Sequence, residues 1–274
     1  MTTDAEPAQI AVLGAAGRMG CAIVRVIAQT PGAVLTAAVE QAGNPRLRQD
    51  AGLVSGGDAC GVTIDEALPE SDVATIWIDF SSPASTAATA ARAAERGAAL
   101  VVGTTGVGSA GKQALAEAAR RVPVVFAPNT SVGVTVLLKL VADAARLLGP
   151  DYDLEIVEAH HRLKRDAPSG TALRLAEALA DATGRDLARD ARYDRHGDIG
   201  PRTKSEIGIQ TLRGGDVVGD HTVHFLGDGE RVEITHRAST RETFARGAVR
   251  AALWVRDRVP GLYDMRDVLG LSKG

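Results

Sequence analysis

A four-residue apolar run, residues 10–13 (IAVL), is followed at once by GAAGRMG and then by the helical stretch CAIVRVIAQT. A strand that turns through glycines into a helix is compatible with few architectures. Gly14 allows the tight turn, Gly17 lets backbone approach a pyrophosphate, and Gly20 permits close packing of helix on strand. The spacing is GxxGxxG rather than GxGxxG, a weak signal by itself. A second strand-like run, VLTAAVE, ends at Glu40, twenty residues after Gly20, where a carboxylate can accept from ribose hydroxyls. Together these features point to a dinucleotide-binding unit. The plainer reading, a glycine-rich turn in an ordinary strand–helix unit, leaves Glu40 unexplained.

Strand and helix signals alternate through the first half. After a Gly/Asn/Arg-rich loop and a short apolar piece near Val62, residues 74–80 (ATIWIDF) read as a buried strand. SSP and a helix over about 84–96 follow, then a strand at Ala99–Val102, GTTG, a helix to about Arg120 and a strand at 124–127. Buried strands alternating with helices predict a parallel sheet covered on both faces, with ligands at the carboxyl ends of its strands. The loops expected there (GAAGRMG, FSSP, GTTG and APNTS) are small and polar.

Beyond Asn129 the texture changes. A helix over Val132–Leu148 leads to residues 154–173, LEIVEAHHRLKRDAPSGTAL. There an apolar strand ends in His160 and His161, with Arg162, Lys164 and Arg165 behind them and a Pro-Ser-Gly-Thr turn opening a helix that ends near Gly184. A helix N-terminus presents unpaired amides and partial positive charge, so this segment suits a small molecule carrying carboxylates or phosphates. A polar loop over 186–203, three amphipathic strands near 207–213, 217–226 and 231–235, and a last helix over 241–256 complete the chain. The expected class is α/β: a Rossmann-like dinucleotide-binding domain over 1–130 and 240–274, and an α+β domain with a mixed open sheet over 131–239.

Composition narrows the partners. A net charge of −3 gives no global attraction to nucleic acid or membrane, and 3% aromatics argues against a base-stacking surface. The opening MTTDAEPAQ has no apolar signal core, and no run is long enough to span a bilayer. Cys21 and Cys60 lack metal-ligand spacing and fit a reducing cytoplasm.

On VLGAAGRMG, IDFSSP, VVGTTG, NTSVGV, EAHHRLKRDAPSGTAL, GDHTVHF and LYDMRDVLGL, the chain resembles the dihydrodipicolinate reductase family over nearly its whole length. The resemblance implies NAD(P)H-dependent reduction of 4-hydroxy-tetrahydrodipicolinate, a cyclic imine dicarboxylate of lysine and diaminopimelate synthesis, by a cytoplasmic homotetramer. It assigns the cofactor to Gly14, Ala15, Ala16, Gly17, Arg18, Met19 and Glu40. On the nicotinamide side it adds Gly103, Thr104 and Thr105, together with Ala127, Pro128, Asn129 and Thr130. His160 matches the proton donor and Lys164 the second catalytic group. His161, Lys164, Ser169, Gly170 and Thr171 match the substrate-carboxylate contacts. His221, His224 and His236 are expected near a subunit interface, away from the chemistry.

Two positions depart from the family pattern. Gln41 replaces an arginine that in many relatives contacts the extra phosphate of NADPH, which tilts the chain toward NADH; Arg46 or Arg48 could restore NADPH binding. Thr130 stands where an apolar or aromatic residue is common. Chemically, hydride addition to the conjugated imine leaves a ring carbon to be protonated, a task for a histidine. Adjacent strand residues point to opposite faces, so His160 and His161 have different jobs.

The competing readings are weaker. The His–His pair has no third ligand at metal spacing, so no metal is expected. Ser169 and Thr171 could simply cap the helix, which is compatible with binding. A semialdehyde dehydrogenase needs a cysteine nucleophile that Cys21 and Cys60 are poorly placed to supply. A dinucleotide sensor would have no use for His160, Lys164 and the Ser169–Thr171 turn together.

Overall fold

The computed structural model describes residues 6–70 and 75–271; Ala74, where the sequence places the start of the third strand, and the first five residues of the polar N-terminal stretch lie outside them. The chain divides into two compact units, residues 1–132 with 241–274, and residues 133–240.

The first unit begins with β1 (Ala8–Leu13), α1 (Arg18–Gln29), β2 (Ala33–Val39), α2 (Ala51–Val54) and β3 (Ile64–Asp65). It continues with β4 (Ile76–Asp79), α3 (Thr86–Arg96), β5 (Ala99–Val102), α4 (Ser109–Ala118) and β6 (Pro123–Phe126). Successive strand residues face opposite sides, and both sides are apolar. Ile10, Val12, Ile76 and Ile78 pack with Ile23 and Ile27 of α1, while Trp77, Leu100 and Val124 pack with Ala90, Ala93 and Leu115 of α3 and α4. That double burial is what a parallel sheet requires.

α5 (Val132–Leu148) leads into the second unit, which holds β7 (Asp153–His160), α6 (Gly170–Thr183), α7 (Leu187–Asp190), β8 (Ala191–Arg192), β9 (Ile207–Arg213), β10 (Gly219–Gly227) and β11 (Glu230–Ala238). The chain then returns to the first unit through α8 (Glu242–Val255), β12 (Gly261–Tyr263) and α9 (Met265–Val268). The first sheet has seven parallel strands in the order β12-β6-β5-β4-β1-β2-β3, and α8 covers the same face as α1.

The second sheet is mixed, in the order β11-β10-β7-β9-β8, with β7 parallel to β9 and antiparallel to β10. One face packs Leu154, Ile156, Val223 and Phe225 against Leu137 and Val141 of α5 and Leu175 and Leu179 of α6. β11 shows mostly exposed side chains.

Two differences from the sequence reading have clear causes. The polar stretch 186–203 is not wholly loop: Asp186 caps α7 by accepting from Ala188 N, and β8 adds to the edge of β9. Arg195 and Arg202 tie the segment after β8 to Glu155, so charge pairing rather than apolar periodicity orders it. The near-terminal LYDMRDVLGL forms the edge strand β12 and then α9, opened by a capping box between Asp264 and Asp267.

Candidate active site

In the first unit the glycine loop joins β1 to α1. Gly14 has φ +80°, and a Cβ there would lie 2.9 Å from the Phe80 carbonyl oxygen at the end of β4. A Cβ on Gly20 would fall 2.1 Å from the Gly14 carbonyl oxygen and 2.6 Å from Ala15 Cα, so only glycine lets α1 start this close to the turn. Gly17 is the N-cap of α1 and offers no side-chain cap, which leaves the first-turn amides to a ligand. Gly17 and Arg18 are exposed, while Ala15 is buried and Ala16 and Met19 are half-buried.

Glu40, just past β2, is held against this loop. Its Oε2 accepts from Ala16 N (3.1 Å) and its Oε1 from Gln41 N (3.0 Å), which fixes the carboxylate while each oxygen keeps a further lone pair. The glycine cradle, uncapped helix and anchored carboxylate fit the pyrophosphate and ribose of a dinucleotide. Gln41 is exposed beside it. Arg48 (φ +66°) is paired with Asp65 at 2.7 Å, and Arg46 is exposed, with Nη1 3.5 Å from Gln49 Oε1.

The other cofactor candidates sit at the carboxyl ends of β5 and β6. A Cβ on Gly103 would strike the Phe80 ring at 2.0 Å, so this glycine seats the ring. Thr104 is buried and donates to the Asp79 carbonyl (3.4 Å), whereas Thr105 is exposed. Ala127 is buried, its N–H bonded to Val102 O; Pro128 is exposed, and Asn129 Oδ1 accepts from Ser131 N (2.9 Å). Thr130 is buried at 1% exposure, and its hydroxyl donates to Phe244 O of α8 at 2.7 Å. That bond accounts for a polar residue at this position: it gives the buried hydroxyl an acceptor.

Cys21 Sγ lies near the carbonyls of Ala15 and Val54, and burial pushes its thiol up, opposite to what a nucleophile requires.

In the second unit the inward face of β7 runs Leu154, Ile156, Glu158, His160, apolar first and ionisable at the carboxyl end. Glu158 is fully buried and must therefore be partnered. Its Oε2 accepts from His160 Nδ1 (2.6 Å) and Arg213 Nη1 (2.8 Å). Its Oε1 accepts from Arg213 Nη2 (2.9 Å), Ser169 N (3.0 Å) and Thr211 Oγ1 (3.2 Å). Burial alone would raise this carboxyl, but the hydrogen bonds from His160, Arg213 and Ser169 outweigh it and hold Glu158 well below the usual carboxylate range. One carboxylate thus fixes both the His160 ring and the turn that starts α6.

With Nδ1 engaged, His160 Nε2 faces Gly219 at the start of β10, where a Cβ would stand 3.0 Å away. His161 lies just past the strand and is half-buried, its N–H donating to Val217 O at 2.7 Å. Lys164 Nζ pairs with Asp166 at 2.8 Å, a carboxylate lowered chiefly by that ammonium and 64% exposed. Ser169 caps α6, its Oγ accepting from Ala172 N at 3.2 Å; Gly170 is exposed and Thr171 half-exposed at the same helix end. Among the described residues no group of three His, Cys, Asp or Glu is placed to hold a metal ion.

The structure places His221, expected near a subunit interface, beside two of the candidate site residues: it opposes Glu158 across the β7–β10 pair, its ring meets His160 edge-on at 5.2 Å, and its Nε2 lies 3.0 Å from Ser169 Oγ. Alternation in GDHTVHF carries the signal, since His221 has the parity of Val223 and Phe225 and so points into the unit. Glu158 is readable the same way, two residues before His160. Arg213 has no local signal; the β7–β9 register alone brings it there.

Burial, and then the neighbouring His160, lower the His221 pKa to about 4. The unfolded chain therefore binds more protons than the folded one between about pH 4 and 6.5, and stability falls as pH drops through that window. Burial of His236 acts in the same direction. Denaturant titrations should show about 1 kcal/mol less stability at pH 5.5 than at pH 7. Equal stability at the two values would contradict a neutral, buried His221.

The comparisons with known proteins agree across both units. Sequence models of dihydrodipicolinate reductase match residues 8–130 with its N-terminus and 133–269 with its C-terminus. A 4-hydroxy-tetrahydrodipicolinate reductase of Anaeromyxobacter dehalogenans (strain 2CP-C) is 55% identical, covering 97% of this chain and 99% of its own length. One from Geotalea uraniireducens (strain Rf4) is 52% identical over 96% and 99%. In fold, a dipicolinate-bound dihydrodipicolinate reductase from Paenisporosarcina sp. TG-14 is similar with a TM-score of 0.74 at 22% identity, covering 94% of this chain and 97% of that one. With both halves matched and identity above half over nearly the full length, the chain belongs to the dihydrodipicolinate reductase family.

Proposed function

We propose that this chain reduces 4-hydroxy-tetrahydrodipicolinate to tetrahydrodipicolinate with NAD(P)H, releasing water, in the diaminopimelate route to lysine. The observation that carries the reading is one buried carboxylate, Glu158, holding a histidine and an α-helix N-terminus side by side in a chain 55% identical to a reductase of that name. Residues 1–130 with 240–274 serve the cofactor; residues 131–239 serve the substrate and assembly. When bound, the nicotinamide supplies the hydride.

The chain's own residues do the rest. Glu158 holds Nδ1 of His160, so Nε2 is the atom left to carry a proton to the substrate ring carbon. Lys164, paired with the exposed carboxylate of Asp166, exchanges that partner for a substrate carboxylate and draws electron density from the imine. The turn Ser169–Gly170–Thr171 receives a carboxylate at the N-terminus of α6, with His161 beside it.

Lys164→Ala is expected to lower kcat about 10- to 100-fold, because the charge helps most as electrons move into the ring. A rise in KM alone, measured by steady-state kinetics, would assign Lys164 to uniform binding instead.

Glu40 favours a free ribose hydroxyl and repels a phosphate there, while Gln41 supplies no cation. NADH should therefore show a KM several-fold below that of NADPH; equal values would contradict the preference. Arg46 is exposed and Arg48 pairs with Asp65 only at the surface, so these two are the nearby cations able to offset the preference. The mostly exposed strand β11 is the surface for a homotetramer, and the cytoplasm the compartment. Sedimentation at micromolar concentration tests the assembly.

A further inference from the structure

We propose that His221 is a positioning residue for substrate binding, its Nε2–H donating to the Ser169 hydroxyl so that the hydroxyl's own proton is left for a substrate carboxylate. The inference rests on the reading of Ser169–Thr171 as the carboxylate cradle.

The donors and acceptors around one buried hydroxyl lead to this assignment. Among the described residues Ser169 Oγ has two hydrogen-bond neighbours, Ala172 N at 3.2 Å and His221 Nε2 at 3.0 Å. Ala172 N can only donate. His221 is neutral near pH 7, so one of its ring nitrogens carries a proton and the other a lone pair. Its Nδ1 is buried and has no hydrogen-bond partner among the described residues. A proton on Nδ1 would be an orphaned buried donor, whereas a lone pair there is an under-satisfied acceptor, which folded proteins tolerate more readily. The favoured tautomer is therefore Nε2–H, and Ser169 Oγ accepts twice.

A serine hydroxyl has two lone pairs and one proton. With both lone pairs taken, the proton has no acceptor in either neighbour. The Ser169 amide is already given to Glu158, so this hydroxyl proton is the one donor the residue can offer a ligand. The opposite tautomer would consume it. His221 thus decides whether Ser169 contributes to the cradle, and its edge-on contact with His160 keeps the two rings in register.

The first test needs no variant: ¹⁵N shifts of histidine-labelled enzyme report which ring nitrogen of His221 is protonated. Protonated Nε2 is expected, and protonated Nδ1 overturns the proposal. The second is calorimetric binding of dipicolinate to the NADH-loaded enzyme. His221→Met should weaken it about tenfold and raise the substrate KM similarly, with kcat changed less than threefold and NADH affinity retained. His221→Gln, which keeps an N–H at similar reach, should recover most of the loss. In a Ser169→Ala background His221→Met should add nothing; an equal loss there would reduce His221 to a packing role. If Ser169→Ala itself leaves dipicolinate binding intact, the cradle reading fails instead.

Discussion

His160→Gln is expected to lower kcat by about 10²- to 10⁴-fold, the usual contribution of a positioned proton donor. Glutamine has the reach to keep a hydrogen bond to Glu158 Oε2, so the fold and the Ser169 turn should survive. Its amide cannot release a proton to carbon. NADH affinity should stay within twofold, because none of the proposed dinucleotide contacts lies in the second unit. Steady-state and single-turnover kinetics check this, and a variant with full kcat would remove His160 from the proton transfer. Gly219 sharpens the assignment, since any larger residue would press on the Nε2 atom that must stay open.

Glu158→Gln is the second large effect. The carboxylate is fully buried and takes five hydrogen bonds, two of them from Arg213, whose side chain is 20% exposed. The amide has one acceptor oxygen and presents N–H groups to donors that need acceptors. The guanidinium is left without its counter-charge, and breaking a mostly buried pair this way costs about 3–5 kcal/mol. For a chain of this size that lowers Tm by roughly 10 °C. The same change frees the His160 ring and the Ser169 amide, so kcat and dipicolinate affinity should fall together. A Tm within about 2 °C of the wild type would show that Glu158 does not anchor this cluster.

These two residues illustrate what is legible in a sequence. The glycine loop, Glu40 and the alternating strands are readable because each depends on local chemistry: φ above zero at Gly14, a helix packed on a turn at Gly20, apolar runs between polar loops. His160, Lys164 and Ser169 are readable through family resemblance and the strand–loop–helix pattern around them. Glu158 stands in plain view in EAHH but needs the strand's inward parity to be recognised. His221 carries the same parity signal, while the family resemblance places it near a subunit interface. Arg213 lies fifty-five residues from Glu158, and only sheet register joins them.

Other parts are hidden for physical reasons. α7, β8 and the segment near Arg195 and Arg202 are ordered by a cap and by ion pairs to Glu155, which leave no hydrophobic period to detect. β12 is three residues long and gains its order by pairing with β6. Thr130 reads as a departure at the nicotinamide side, yet its hydroxyl serves Phe244 O, a partner 114 residues away.

The most direct measurement monitors NADH and NADPH oxidation by absorbance while a coupled synthase generates 4-hydroxy-tetrahydrodipicolinate in the cuvette. Rapid oxidation that depends on the synthase, and is lost in His160→Gln, is the expected result. A folded protein that binds NADH tightly but oxidises neither cofactor under these conditions would contradict the assigned reaction.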